Sequence, residues 1–327
     1  MTVQLPEVIR TFASYKETIQ NCSRLTVSEY CRDLITFFRY IIAYRNGSIP
    51  EDLTTVSIDS LDYELASSVT SEDIYSFLLF LSRDKGNNTR TRARKLSAIK
   101  AFYKYHTQKS RRIEENPAKD IDSPTIKQSL PKYLNLDESV RLLESVDPKS
   151  ETYERDYCIL TLFLNCGMRL SELVGINLSD IAEDLSRLVV TGKGNKMRTI
   201  YLNTACKNAV ADFLEVREKR AMAHGHTIID KNALFLSSRN RRISKQTVQW
   251  LVQRQLTAAG LGGKGYSVHK LRHTAATLMY EQGNVDVRVL KDILGHEQLT
   301  TTQIYTHVSD KKLEEAAEMN PLAKIKK

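Results

Sequence analysis

The sequence predicts a mainly α-helical protein of two domains, the second of which also carries a small antiparallel β-sheet. Its 327 residues exceed the usual length of one domain. Three of the seven prolines fall in the segment 116–131, which has no helical periodicity and is typical of an extended linker. We therefore predict a helical domain over 1–112, a linker over 113–131 and a second domain over 132–327.

Composition narrows the classes of partner. The formal net charge is +9, and an excess of Lys and Arg favours a polyanionic partner such as nucleic acid or an anionic membrane, while a basic protein without such a partner is the alternative. No apolar run is long enough to cross a bilayer, and the first residues lack the apolar core of a signal peptide. These features predict a cytoplasmic protein with no membrane partner.

Helical periodicity predicts the elements of the N-terminal domain. Thr26 is expected to cap a helix, because Glu29 follows three residues later and an apolar series begins at Tyr30. A second helix is expected to open at Ser71, where apolar residues again recur on one side.

A basic helix is predicted within the segment 87–106. Between residues 83 and 112 there are eleven basic residues and one acidic residue, so few ion-pair partners lie within the segment itself. A run of charge is commonly a solvated helix face, but the shortage of acids here favours contacts with phosphate groups. The candidate DNA-contacting residues of this helix are Arg90, Arg92, Arg94, Lys95 and Lys100.

The segment 187–202 of the second domain predicts a β-hairpin. Two short β-branched runs flank Gly192–Lys196, where glycine and asparagine are typical of a turn. Helical patterns follow over 205–220, 244–259, 269–282, 286–293 and 310–319.

This domain also carries residues that suit attack on a phosphodiester. Without a metal ion, the charge of the transition state needs cationic side chains, and arginine pairs with phosphate through two N–H groups. Arg169 follows an apolar helical run and a glycine. Glu172 is either its exposed ion-pair partner or the residue that holds it in place. His269 and Arg272 are three residues apart, so they share a helix face.

A zinc site is the alternative use of these histidines. His269 and His273 have a spacing typical of zinc ligands, but Lys270 stands where a metalloprotease motif requires Glu, and no nearby acid supplies a third ligand. We therefore expect a structural role for His273 and no metal or other cofactor. The cysteines form no C-x-x-C pair and are expected to be reduced core residues: Cys22, Cys31, Cys158, Cys166 and Cys206.

Four segments of the second domain resemble the motifs of one protein family. In sequence order they are CGMRLSEL, TGKGNKMR, HKLRHTAAT and LGHEQLTTTQIYTHV. Together with TVSEYCRDLITFFRY, RARKLSAIKAFYKY and NPAKDIDSPTIKQSLPKYL, they resemble the tyrosine recombinase (phage integrase) family over nearly the whole chain. Within that family the resemblance is to the Xer-type recombinases that resolve bacterial chromosome dimers. One such motif could arise by chance, but four in the family's order and spacing are not expected by chance.

The resemblance implies a role for each matching position in binding the phosphate. Arg169 and Arg272 match the two arginines that clamp the scissile phosphate. His296 matches the His-or-Trp position that hydrogen-bonds it. Lys196, close to the hairpin lysine position, is expected to contact a backbone phosphate, and Arg241 and Arg242 are further candidate DNA-binding residues.

The resemblance also implies the residues that move protons and form the covalent bond. Tyr305 matches the nucleophile, which forms a 3′-phosphotyrosyl intermediate, and His269 matches the histidine proposed for proton transfer with it. Lys193 matches the hairpin lysine that protonates the leaving 5′ oxygen. Because the phosphotyrosyl ester conserves the energy of the broken bond, neither ATP nor a metal ion is expected, and the sequence contains no P-loop.

The implied architecture is a DNA clamp made by a helical core-binding domain and a catalytic domain. The implied assembly is a tetramer of identical or mixed protomers on two duplexes that carry the recombination site. In such tetramers the C-terminal helix, here 310–319, packs into a neighbouring protomer. The chain is expected to act at the nucleoid. The sequence leaves open whether it needs a second recombinase or a DNA translocase as activator.

Several other functions share part of this pattern. The same chemistry would serve an integrase or invertase of a mobile element. A type IB topoisomerase uses a similar tyrosine site but relaxes supercoils as a monomer. A DNA-binding regulator on an inactive recombinase scaffold predicts missing catalytic residues, and a metal-dependent nuclease predicts an acidic cluster.

Overall fold

The computed structural model describes residues 5–125, 132–192, 196–222, 227–283 and 285–295. The chain divides into two compact units, Met1–Gln128 and Ser129–Lys327. Both units are mainly helical over the described ranges, which confirms the predicted fold class. No helix within these ranges is both long enough and apolar enough to span a membrane.

The N-terminal unit packs its helices around an aromatic core. Phe102 lies edge-on to both Phe12 and Phe38, with ring centroids 5.7 and 5.4 Å apart, an arrangement that aromatic pairs prefer. All three rings are fully buried. The helices of this unit are α1 (Glu7–Thr18), α2 (Arg24–Arg45), α3 (Tyr63–Ser67), α4 (Ser71–Arg83) and α5 (Thr89–Gln108).

The capping residue of α2 differs from the prediction. The helix begins at Arg24, and the Ser23 hydroxyl accepts a hydrogen bond from the backbone N–H of Thr26 at 3.2 Å. The prediction that Thr26 caps the helix was therefore wrong by three residues, because Ser23 offers the same hydroxyl chemistry one turn earlier. By contrast, α4 opens at Ser71 as predicted, with Thr70 and Asp73 forming a capping box.

Part of the predicted linker packs on the N-terminal core. Ile113, Ala118 and Ile121 are all at most 3% exposed and belong to the hydrophobic cluster of this unit. Each contributes apolar area that is removed from water. Residues 126–131 lie outside the described ranges.

His106 on α5 makes the stability of the N-terminal unit depend on pH. It is fully buried, and its Nε2 lies 2.9 Å from the carbonyl oxygen of Val8, to which it donates. Burial lowers the pKa of His106 from 6.5 to about 4. The unfolded chain therefore takes up a proton between these two values while the folded chain does not, and the free energy of unfolding falls as pH decreases through this window.

We expect the free energy of unfolding to drop by about 2 kcal/mol through His106 between about pH 7 and about pH 5. Chemical denaturation followed by circular dichroism at the two pH values measures this. The control is His106→Gln, whose amide can still donate to Val8 but does not titrate. An equal loss of stability in the two proteins would contradict the prediction.

The second unit contains the predicted hairpin and seven helices within the described ranges. Strand β1 (Arg187–Thr191) pairs with β2 (Met197–Tyr201) in antiparallel register, which confirms the predicted hairpin. The helices are α6 (Leu136–Glu144), α7 (Tyr153–Cys166), α8 (Leu170–Gly175), α9 (Thr204–Met222), α10 (Lys245–Ala258), α11 (Val268–Glu281) and α12 (Val287–Leu294).

Helix α7 forms the centre of this unit. It packs against α9 and α11, and its side chains are largely buried. Four of the predicted helical segments correspond to α9, α10, α11 and α12, whereas 310–319 lies outside the described residues. All five cysteines of the chain are free thiols, and all but Cys22 are buried, as expected.

Candidate functional site

The turn between α7 and α8 places Arg169. Helix α7 ends at Cys166, and Gly167 follows in the left-handed conformation with φ +57°. A Cβ at Gly167 would lie 2.9 Å from Leu294 Cδ2, so both the backbone angle and the close packing require glycine. The chain then passes through the buried Met168, and Arg169 precedes α8 in an extended conformation.

Glu172 holds Arg169 with two hydrogen bonds. Its Oε2 accepts from the backbone N–H of Arg169 and its Oε1 accepts from Arg169 Nη1, both at 2.7 Å. Burial alone would raise the pKa of the Glu172 carboxyl, but hydrogen bonds from Arg198 and Arg169 outweigh burial and lower it. The carboxylate is therefore a buried anion and not an exposed ion-pair partner.

Helix α11 places Arg272 beside this pair. Its buried guanidinium donates from Nη1 to the carbonyl oxygen of Gly167 and from Nη2 to that of Leu294, each at 2.7 Å. Arg272 Nη1 also lies 4.0 Å from Glu172 Oε2. One carboxylate thus faces the guanidinium groups of Arg169, Arg198 and Arg272, which leaves the cluster with two excess positive charges.

The surroundings of the two histidines of α11 lower the pKa of both and so favour the neutral form. The rings of His269 and His273 meet edge-on with centroids 4.6 Å apart. Desolvation, with the positive charges of Arg272, Lys270 and Arg169, lowers the pKa of His269. The pKa of the buried His273 is lowered to about 4 by desolvation and by the neighbouring His269, Lys270 and Arg272. A neutral imidazole at pH 7 can accept a proton, as a general base must.

Arg169, His269 and Arg272 line one open cavity of about 920 Å³. Side chains of α10 form another wall of it. The structure thus gathers residues from three separate segments of the sequence, whose cationic groups converge where an anion could bind. The further lining residues that carry polar or aromatic groups are Ser171, Lys245, Gln249, Trp250, Gln253 and Ser267.

The turn end of the hairpin, at Gly192, lies against the Arg169–Glu172 pair. Gly192 donates its backbone N–H to the carbonyl oxygen of Lys196 at 2.7 Å, which closes the hairpin. A Cβ at Gly192 would lie 3.4 Å from Glu172 Oε1 and 3.8 Å from Arg169 Nη1. Three of the six predicted catalytic positions, Lys193, His296 and Tyr305, lie outside the described residues.

Sequence reasoning missed two features of this site. The first is Arg198, which lies within the segment TGKGNKMR and binds Glu172 at 2.9 Å. The second is the wall formed by α10, where the single tryptophan of the chain, Trp250, is 63% exposed with Arg254 over its ring. The spacing of Lys245, Gln249 and Gln253 at every fourth residue could have indicated a polar helix face.

The predicted DNA-contacting residues have different surroundings. Arg90 and Arg241 are exposed, and Lys196 also stands at the surface. Arg94 and Lys95 bind Asp33 of α2, and Arg94 also binds Glu29.

The remaining predicted contacts are less exposed. Arg92 donates to the Ser82 hydroxyl and to the carbonyl oxygen of Asn87 at 2.6 and 3.0 Å. Arg242 donates to the carbonyl oxygens of Val174 and Ile176, and Lys100 is half-buried. Arg92 and Arg242 therefore stabilise their own surroundings in addition to any contact with DNA.

Two family models match this chain. The phage integrase family model matches residues 132–312, and the model of the phage integrase N-terminal SAM-like domain matches residues 9–110. The first match covers more than half of the chain and contains every residue that lines the cavity.

Curated relatives and solved structures agree with these matches. The tyrosine recombinase XerC of Caldanaerobacter subterraneus subsp. tengcongensis is 47% identical over 323 residues, which is 98% of this chain and 88% of that protein. XerC of Thermodesulfovibrio yellowstonii is 34% identical over 299 residues, 89% of this chain and 97% of its own length. The fold is similar to that of XerH site-specific recombinase bound to palindromic difH substrate in a post-cleavage complex, with a TM-score of 0.69, 22% identity, and coverage of 98% of this chain and 99% of that one. From the family matches and the extent of these identities, the chain belongs to the phage integrase family and is a tyrosine recombinase of the Xer type.

Proposed function

We propose that this chain cuts and rejoins duplex DNA at a specific site through a covalent bond between Tyr305 and a 3′ phosphate. The observation that carries the proposal is the cavity lined by Arg169, His269 and Arg272. The guanidinium groups of both arginines lie within 4.0 Å of the buried Glu172 carboxylate. An excess of fixed positive charge in a partly desolvated cavity stabilises the charge that builds on a phosphate during attack.

The hydrogen-bond donors of Arg169 support the proposed contact with a phosphate. Within the described residues, Arg169 uses Nη1 for Glu172 and Nη2 for the carbonyl oxygen of Gly295. A guanidinium carries five N–H donors, so Arg169 retains donors for two phosphate oxygens. Arg272 faces the same cavity one turn of α11 after His269.

Attack by tyrosine requires two proton transfers. A free phenol has a pKa of about 10, so its proton must leave as the oxygen bonds to phosphorus. The neutral imidazole of His269 is proposed to accept this proton, and His296 to hydrogen-bond a phosphate oxygen. As the bond from phosphorus to the 5′ oxygen breaks, Lys193 is proposed to donate a proton to that oxygen. The reverse steps with a new 5′ hydroxyl rejoin the strand without ATP or a metal ion.

The DNA is proposed to contact both units. Candidate phosphate contacts on the N-terminal unit are Arg90, Arg92, Arg94, Lys95 and Lys100. Those on the catalytic unit are Lys196, Arg241 and Arg242. Two strand exchanges between two duplexes need four nucleophiles, so we propose a tetramer coupled through the C-terminal segment. The biological role proposed is resolution of chromosome or replicon dimers, by analogy with the Xer relatives.

Affinity for DNA is expected to fall steeply with salt, because lysine and arginine displace condensed counterions. Arg90→Ala should reduce the slope of log K against log[KCl] by about one. The matched control is Arg24→Ala, which removes an exposed arginine of the same unit that pairs with Glu17 at 3.4 Å. Fluorescence anisotropy over a series of KCl concentrations measures the slopes. An unchanged slope for Arg90→Ala would remove that residue from the contact set.

Recombination itself tests the proposed function. Duplexes that bind the chain are first selected from a random pool, and two copies of the selected site are placed in one supercoiled plasmid. We expect deletion between direct copies and inversion between inverted copies, in EDTA and without ATP. Relaxation of a plasmid without any such site would favour a topoisomerase instead. Binding without strand exchange or covalent product would favour a regulator.

A further inference from the structure

The C-terminal end of α12 is held by three arginines from three different parts of the chain. The carbonyl oxygen of Ile293 accepts from Arg198 of β2, that of Leu294 from Arg272 of α11, and that of Gly295 from Arg169. The last carbonyl groups of a helix have no partner within the helix and carry the negative end of its dipole. Three guanidinium groups therefore fix the C-terminal end of α12. The two residues with predicted catalytic roles that follow this helix in the sequence are His296 and Tyr305.

Arg198 differs from the other two arginines in its surroundings. Its side chain is 14% exposed, and it does not appear among the residues that line the cavity. It donates from Nη2 to Glu172 Oε2 at 2.9 Å and from Nη1 to Ile293. Arg169 and Arg272 already match the two arginines that bind the phosphate in the family. Arg198 must therefore have a different role.

The packing around Arg198 is tight. A Cβ at Gly295 would lie 2.7 Å from Arg198 Cδ, so the backbone of Gly295 rests directly on the arginine stem. Gly295 has φ +63° and ends α12, which makes this contact part of how the helix terminates. On β2, Arg198 faces Val190 of β1, so the same side chain joins the hairpin to the end of α12.

Glu172 connects Arg198 to Arg169. Its Oε1 accepts from the Arg169 guanidinium, and its Oε2 accepts from both the Arg169 backbone N–H and Arg198, while the carboxylate itself is fully buried. Loss of Arg198 would leave Oε2 with the backbone N–H of Arg169 as its remaining hydrogen-bond donor, so the carboxylate would be held less firmly. Because the carboxylate and the carbonyl oxygen of Gly295 together hold Arg169, its guanidinium would then be positioned less precisely, and an error of about 1 Å at a reacting group can slow a reaction about a hundredfold.

We infer that Arg198 is a positioning residue: by bridging Glu172 and Ile293, it fixes Arg169 and the end of α12 relative to each other in the geometry needed for cleavage. This role rests on the proposed function and extends it to a residue that does not line the cavity. Lysine cannot replace it fully, because a single ammonium lacks the two diverging N–H groups of a guanidinium.

The test compares Arg198→Gln and Arg198→Lys with the wild type on a nicked duplex that carries the selected site. Covalent complex is followed under single-turnover conditions with saturating protein. We expect Arg198→Gln to react about thirtyfold more slowly with a Kd changed by less than about threefold. Arg198→Lys should remain about tenfold slow. A rate equal to wild type in either variant would overturn the inference.

A matched control separates positioning from loss of stability. Arg217 is also a buried arginine of the second unit and belongs to α9. It donates to the carbonyl oxygens of Lys231, Ala233 and Leu234. Arg217→Gln should lower stability as much as Arg198→Gln does, yet the DNA-bound protein should react at the wild-type rate. A loss of rate in Arg217→Gln equal to that in Arg198→Gln would show a merely structural effect and overturn the inference.

A double-mutant cycle tests the path through Glu172. If Arg198 acts through this carboxylate, Glu172→Gln should be slowed at least as much as Arg198→Gln, and the double variant no more than Glu172→Gln alone. A double variant slowed by the product of the two single effects would overturn the assignment. If the wild type forms no covalent complex at all, the proposed function fails together with the inference. If the wild type reacts and Arg198→Gln reacts equally fast, only the inference fails.

Discussion

Arg272→Ala is expected to slow formation of the covalent complex by at least about a hundredfold, because it removes the charge that we propose contacts the phosphate in the transition state. The change also removes the hydrogen bonds to Gly167 and Leu294. Arg169→Ala should have a similar effect. Single-turnover cleavage of a nicked site measures both rates, and anisotropy shows whether the DNA remains bound.

Arg272→Lys is the matched control for charge without the guanidinium fork. It should bind DNA normally and still cleave slowly, because an ammonium cannot pair with two phosphate oxygens in the same way. Thermal unfolding of each variant identifies any loss of folded protein. If Arg272→Ala cleaves within about threefold of the wild-type rate, the phosphate clamp is assigned to the wrong residue.

Tyr305→Phe is expected to abolish the covalent complex completely. Phenylalanine keeps the ring but lacks the oxygen that bonds to phosphorus, so DNA binding should remain within about threefold of wild type. Denaturing electrophoresis after incubation with a nicked site shows the covalent band. Tyr201→Phe is the control, since Tyr201 is 77% exposed on β2 and should not be needed. A covalent band that persists in Tyr305→Phe would exclude Tyr305 as the nucleophile.

Local sequence pattern predicted the elements that have strong periodicity or turn chemistry. The hairpin was recognisable because Gly192 and Asn195 interrupt two β-branched runs, and the helices α9 to α12 because apolar residues recur on one face. The start of α2 was predicted three residues too late, since both Ser23 and Thr26 carry a hydroxyl that can cap a helix. The choice between them depends on where the apolar face meets the core, which is a tertiary property.

The ion pairs of α5 show a second limit. The shortage of acids near this helix suggested that its basic residues lack protein partners, yet Arg94 and Lys95 both bind Asp33, more than sixty residues earlier in the chain. A count of charges within one segment cannot detect a partner on another helix. The pairing does not remove the positive charge of the surface, since the two carboxylates of Asp33 and Glu29 face three cations, Arg32, Arg94 and Lys95.

The candidate site was predicted mainly from the resemblance and only partly from spacing. Spacing alone placed His269 and Arg272 on one face of a helix, but Arg169 lies about a hundred residues earlier and joins them only in the folded chain. Arg198 could not be identified from local pattern, because its role depends on Glu172 and on the end of α12. Such contacts between distant segments need the structure.

The central claim is that Tyr305 attacks a phosphate held by Arg169 and Arg272. The most direct measurement is mass spectrometry of the covalent complex formed in EDTA and without ATP, after digestion of both protein and DNA. We expect a nucleotide adduct on the peptide that contains Tyr305, with fragment ions that place the phosphate on the tyrosine oxygen. An adduct on any other residue, or cut DNA with no protein attached, would contradict the claim.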